Sequence, residues 1–96
     1  MQINKFPTIN MEATGRRITA LRKAGGYSVK DLQEYFGFEA PQAIYKWQKG
    51  LSLPTVDNLL ALSALLGVPM DSIVVKNAAV KELPLDSDSS LLFLAS

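Results

Sequence analysis

The stretch Ser28–Gly50, SVKDLQEYFGFEAPQAIYKWQKG, decides how the chain is read. Ser28 is a good helix N-cap, and Val29, Leu32 and Phe36 fall on one helical face behind it. Asp31 at the third helical position suits the positive helix end. Gly37 closes this helix, Phe38-Glu39-Ala40 makes a short turn, and Pro41 is tolerated at a first helical position. A following helix carries Ile44 and Trp47 inward and stops at Gly50. The sequence therefore predicts two short helices meeting at a glycine-containing corner.

Working outward, Asn10 caps a helix with Met11, Thr14, Ile18 and Leu21 at helical spacing, ended by Ala24-Gly25-Gly26. Tyr27 is expected at the corner before the next helix. Leu51-Ser52-Leu53 reads as a loop, Pro54 precedes Thr55, and Thr55 caps a fourth helix. That helix holds Val56, Leu59, Leu60, Leu62, Ser63 and Leu66, apolar over a wide arc, and is expected to be the most buried. Gly67 ends it, and Pro69-Met70-Asp71 opens a short fifth helix with Ile73 and Val74 inward. The predicted organisation is an arm over 1–9, a compact all-α five-helix domain over 10–75, and a tail over 76–96. Ile3 and Phe6 of the arm are expected to pack on the core.

Composition narrows the function classes. The chain has 96 residues and lacks both cysteine and histidine. Disulfides, thiolate metal sites, Cys nucleophiles and the commonest general base are thereby removed. No enzyme activity, cofactor or metal site is expected. The amino terminus does not read as a signal peptide. The longest apolar run, Leu91 to Ala95, is far below the roughly 18 residues that span a bilayer. A soluble, cytoplasmic binding module is expected, with no membrane association.

The net charge of +1 hides an asymmetry. Residues 1–54 hold 8 basic and 4 acidic residues, whereas residues 55–96 hold 2 basic and 5 acidic. The positive half contains the paired short helices, as attraction to phosphates requires.

Beyond the corner, a longer string of residues is informative. Gly15-Arg16-Arg17-Ile18 with Leu21-Arg22 is followed by Ser28 with Leu32, then Phe36-Gly37-Phe38. Ile44-x-x-Trp47-x-x-Gly50, Pro54-Thr55, Asn58-Leu59-Leu60 with Leu62, and Leu66-Gly67-Val68 ending in Asp71 complete it. From Thr14 to Val74 the chain resembles the Cro/repressor-type, or XRE-type, lambda-repressor-like helix-turn-helix family.

The resemblance implies double-stranded DNA binding, with the third helix, about 41–49, in the major groove. Pro41, Gln42, Tyr45, Lys46 and Lys49 are its outward positions. Gln42 could pair with adenine, Lys46 could donate to guanine, and Tyr45 could meet a phosphate or a thymine methyl. Pro41 has no hydrogen-bonding group for a base. Ser28, Val29 and Lys30 at the start of the second helix, and Lys49, Gly50 and Ser52 after the third, are placed at phosphates. Arg16 and Arg17 are either strand contacts or solvated. Trp47 shares the inward face with Ile44 and reads as core, not as a base-stacking ring.

Three departures stand out. The family commonly has Glu where this chain has Gln48, paired with an Arg at the position of Arg22. Here Arg22 is expected to hydrogen-bond the Gln48 amide or neighbouring carbonyls. Gln33 replaces a usually small residue, and the Gly37–Ile44 interval is one residue longer. The longer turn is expected to accommodate Gln33.

The leading expectation is a sequence-specific transcriptional regulator that binds DNA as a homodimer. A toxin–antitoxin antitoxin, holding a protein partner through the apolar end of its tail, is the first alternative. A protein-interaction adaptor without DNA binding is the second.

Overall fold

The computed structural model describes residues 6–77. Helix α1 spans Met11–Ala24, α2 Val29–Phe36, α3 Gln42–Lys49 and α4 Val56–Leu66. Each expected cap that has a polar side chain forms. The Asn10 side chain accepts from the Ala13 N–H at 3.0 Å, and Thr55 Oγ1 accepts from the Asn58 N–H at 3.3 Å. At α2, Ser28 Oγ accepts from the Asp31 N–H at 2.9 Å, and Asp31 Oδ2 accepts from the Ser28 N–H at 2.8 Å. This reciprocal pair is a capping box. Pro41 lies one residue earlier than expected, as the N-cap of α3 rather than its first residue.

The fold is all-α, with one correction to the helix count. The expected fifth helix is a single 3-10 turn, Met70–Ser72, closed by bonds from Ser72 N to Pro69 O and from Ile73 N to Met70 O. The chain has no length for more, because Val75–Asn77 is already extended against Thr8–Asn10. There Asn10 N donates to Val75 O at 2.8 Å and Asn77 N to Thr8 O at 2.9 Å. Ile9 and Lys76 form an isolated antiparallel bridge. The two ends of the domain are thus clasped side by side, by residues on both sides of the expected 10–75 limits.

Every element contributes to one core. Ile18 from α1, Leu32 from α2, Ile44 and Trp47 from α3, Leu62 from α4 and Ile73 after the 3-10 turn are buried together. Thr14 is buried too, and its Oγ1 accepts from the Val75 N–H at 2.9 Å, so the polar group is satisfied. Helix α1 crosses α3 at Gly15. A Cβ there would stand 2.4 Å from the Gln48 carbonyl oxygen and 2.6 Å from that of Trp47. Only a glycine allows this approach.

Two packing expectations are corrected. Helix α4 is not the most buried helix: Leu62 alone is fully buried, whereas Val56 and Leu60 are 72% and 60% exposed. An apolar arc wider than the available core leaves part of itself outside. Phe6 does not pack on the core, being 86% exposed. Ile3 and the tail from residue 78 onward lie outside the described residues. Among the described residues no helix is long and apolar enough to cross a membrane, and no cluster of potential metal ligands occurs.

Candidate nucleic-acid interface

Helix α3 divides along its length. Ile44 and Trp47 face inward, while Gln42, Tyr45, Lys46 and Lys49 are exposed on the opposite side, as their i, i+3 and i+4 spacing requires. Pro41 and Ser52 flank this face and are half-buried. The ion pair between Lys30 and Glu34, at 3.5 Å, is the one salt bridge among the described residues. The Lys46 and Lys49 ammonium groups therefore have no acidic partner among the described residues on the outer face of α3.

An aromatic cluster braces this helix from behind. Phe38, in the turn after α2, stacks on Phe36 with centroids 5.1 Å apart, and both meet Trp47 edge-on, at 6.0 and 5.4 Å. Gln33 is taken up by the same turn. Its Nε2 donates to the Phe38 carbonyl at 3.3 Å, and the Gln33 backbone carbonyl accepts from Phe38 N at 3.0 Å. Phe38 thus supplies the Gln33 side chain with a partner, and the amide nitrogen is not left unpaired.

Arg22 joins α3 to the start of α2. Its Nε donates to Gln48 Oε1 at 2.8 Å, and its Nη1 donates to the Tyr27 carbonyl at 2.7 Å. The expectation that Arg22 uses the Gln48 amide and a neighbouring carbonyl is met on both counts. The same side chain therefore fixes the outer helix and the loop that leads into the α2 amino terminus.

At that terminus the structure sorts the expected contacts. The Ser28 N–H is already engaged by Asp31, whose carboxyl is held below the usual carboxylate range, first by the Ser28 backbone N–H and then by its side chain. The Val29 and Lys30 N–H groups have no acceptor among the described residues, as expected for a first helical turn. Lys30 and Lys49 are both exposed. Arg17 is neither free nor merely solvated, because its Nη1 donates to the Ser72 carbonyl and ties α1 to the 3-10 turn. Arg16 is exposed.

Three features escaped the sequence reading. The close approach at Gly15 depends on how two helices cross. The bond from Tyr35 Oη to the Ala61 carbonyl, at 3.0 Å, depends on where α4 lies. The exposure of Val56 and Leu60 was signalled only by α4 being apolar nearly all round, and that of Leu51, in the loop before it, by nothing in the sequence.

A small helical domain whose outer helix carries two exposed lysines has the electrostatic footprint that DNA-binding domains use. The family model described as helix-turn-helix matches residues 18–73, more than half of the chain. The chain belongs to this XRE-type, lambda-repressor-like helix-turn-helix family, whose members are DNA-binding regulators. No curated protein shows significant similarity to it.

Proposed function

We propose that this protein is a sequence-specific transcriptional regulator that docks α3 in the major groove of double-stranded DNA and binds a two-fold site as a homodimer. The observation that carries the reading is the outer face of α3, where Gln42, Tyr45, Lys46 and Lys49 stand exposed and neither lysine has an acidic partner among the described residues. Gln42 and Lys46 are the base readers, suited to adenine and guanine respectively. Tyr45 contacts a phosphate or a thymine methyl, and Pro41 shapes the edge of the surface without hydrogen-bonding a base.

Phosphates are held at the two ends of the motif. The open N–H groups of Val29 and Lys30 and the Lys30 ammonium serve one strand, and Ser28 keeps that helix end in place through its capping box. Lys49 and Ser52 serve the strand beyond α3. The experiment is selection of bound duplexes from a random pool by the full chain. A recurring sequence with two symmetric half-sites about 34 Å apart is expected for a dimeric reader of this kind. A pool that remains unenriched would contradict it.

A further inference from the structure

Helix α3 starts differently from the other three helices. Asn10, Ser28 and Thr55 each cap their helix with a side-chain oxygen, whereas the N-cap of α3 is Pro41, which has no such atom. The first N–H groups of α3 therefore lack the acceptor that orders a helix start. Gln42, the first residue of α3, sits in this uncapped turn. The turn closes with the bond from the Tyr45 N–H to the Pro41 carbonyl, at 3.1 Å. Its anchorage lies upstream, at Phe38. The Phe38 N–H donates to the Gln33 backbone carbonyl, its ring stacks on Phe36, and its carbonyl accepts from the Gln33 side chain at 3.3 Å. Gln33 is half-buried, while Glu39 and Ala40, between this anchor and Pro41, are exposed. The proline ring restricts φ at Pro41, so the direction in which the chain leaves Phe38 is carried into α3.

We infer that Gln33 is a positioning residue for base reading: its side-chain amide takes the place of the missing cap by holding the Phe38 carbonyl, and with it the angle at which α3 presents Gln42. The inference rests on the DNA-binding reading above. Gln33 itself touches no base. Its effect falls on Gln42 more than on the lysines for a geometric reason. A bidentate amide–adenine pair needs two bonds at once and tolerates little change in helix angle. A lysine on a long flexible stem follows its phosphate through the same change. A single neutral hydrogen bond adds little to the stability of the domain, so losing it shows in alignment and not in folding.

The test uses the full chain and Gln33→Met, which keeps the length of the side chain and removes its donor. Gln33→Ala repeats it with a smaller side chain should the first variant not fold. Alanine variants at Gln42 and Lys46 first identify the position of a selected duplex that each residue reads. Gln33→Met is expected to lower discrimination at the Gln42 position by about tenfold, within what one aligned side chain–base pair provides, and to leave the salt dependence of binding unchanged. In the free protein the Tyr45 amide should exchange faster relative to the Leu51 amide, whose 2.9 Å bond to the Lys46 carbonyl closes the other end of α3. Unchanged discrimination at the Gln42 position would overturn the inference. An equal loss of protection at Tyr45 and Leu51, or an equal loss of affinity for every duplex, would overturn it too, because Gln33 would then support only the fold. A wild-type chain that selects no duplex overturns the DNA reading and base reading with it, while the exchange ratio still decides whether Gln33 holds the start of α3.

Discussion

Arg22 and Gln48 are joined across the α1–α3 contact by a 2.8 Å hydrogen bond from the guanidinium to the side-chain amide oxygen. The bond forms without an ionic partner. Because the bond is half-buried, its loss leaves Gln48 and the Tyr27 carbonyl without a donor. Arg22→Ala should destabilise the domain by about 1–3 kcal/mol, the usual cost of stranding such groups, measured by urea unfolding. Gln48→Glu should retain or raise the melting temperature, since the same guanidinium then meets a carboxylate. A drop on Gln48→Glu would contradict the availability of Arg22.

Gly15→Ala offers a test in which two effects oppose each other. Alanine is favoured over glycine inside a helix by about 1 kcal/mol. Yet the added Cβ would fall 2.4 Å from the Gln48 carbonyl oxygen, which is backbone and cannot swing away. Overpacking of this kind costs about 1–3 kcal/mol. The variant should be less stable than wild type, and a gain in the unfolding midpoint would show that α1 and α3 are further apart.

How much of this was legible in the sequence follows from which forces are local. The caps at Asn10, Ser28 and Thr55 depend on a side chain and a backbone group three residues away, so spacing alone locates them. The inward pair Ile44 and Trp47, and hence the outward face of α3, follow from helical periodicity. The bond from Arg22 to Gln48 was legible because the resemblance places the two positions together. What needed three dimensions was the choice among surfaces that look alike in sequence. Leu60 and Leu62 are both leucines in one helix, but only Leu62 meets the core. Arg16 and Arg17 are adjacent, but only Arg17 reaches Ser72. Pro69 and the clasp at Val75–Asn77 leave room for a 3-10 turn and no more. In the candidate site, periodicity located the exposed cations, while the engagement of the Ser28 N–H by Asp31 required the folded turn.

Asp31 gives the α2 amino terminus a pH dependence. Its folded carboxyl titrates below the ordinary value of 3.8 because the Ser28 backbone N–H and side chain favour the charged form. A lowered folded pKa stabilises the fold above the unfolded value, and that stability is lost as pH falls through the folded one. Thermal melts should therefore show Asp31→Ala less stable than wild type at pH 7, with the difference shrinking below about pH 4. A difference that is constant from pH 7 to pH 3 would mean that the carboxylate is not the capping species.

In the proposed docking Lys46 reads a base and Lys49 holds a phosphate, so the two should differ in measurement. Lys49→Ala, a lost phosphate contact, should weaken binding to all duplexes alike and reduce the slope of log affinity against log salt by about 0.9. Lys46→Ala should instead cost about 1–3 kcal/mol of discrimination at one position of the selected site. Both residues are exposed, so neither change should move the melting temperature. Unchanged DNA affinity in both variants at fixed low salt would point to an adaptor that does not bind DNA.

The central claim is that the outer face of α3 and the open end of α2 meet DNA together. Amide chemical shifts of the full chain, followed while the selected duplex is added, test it most directly. The largest changes are expected at Val29, Lys30, Gln42, Tyr45, Lys46, Lys49 and Ser52, with Ile18, Leu62 and Ile73 in the core little affected. Changes that spare α3 and gather elsewhere on the domain would contradict the account.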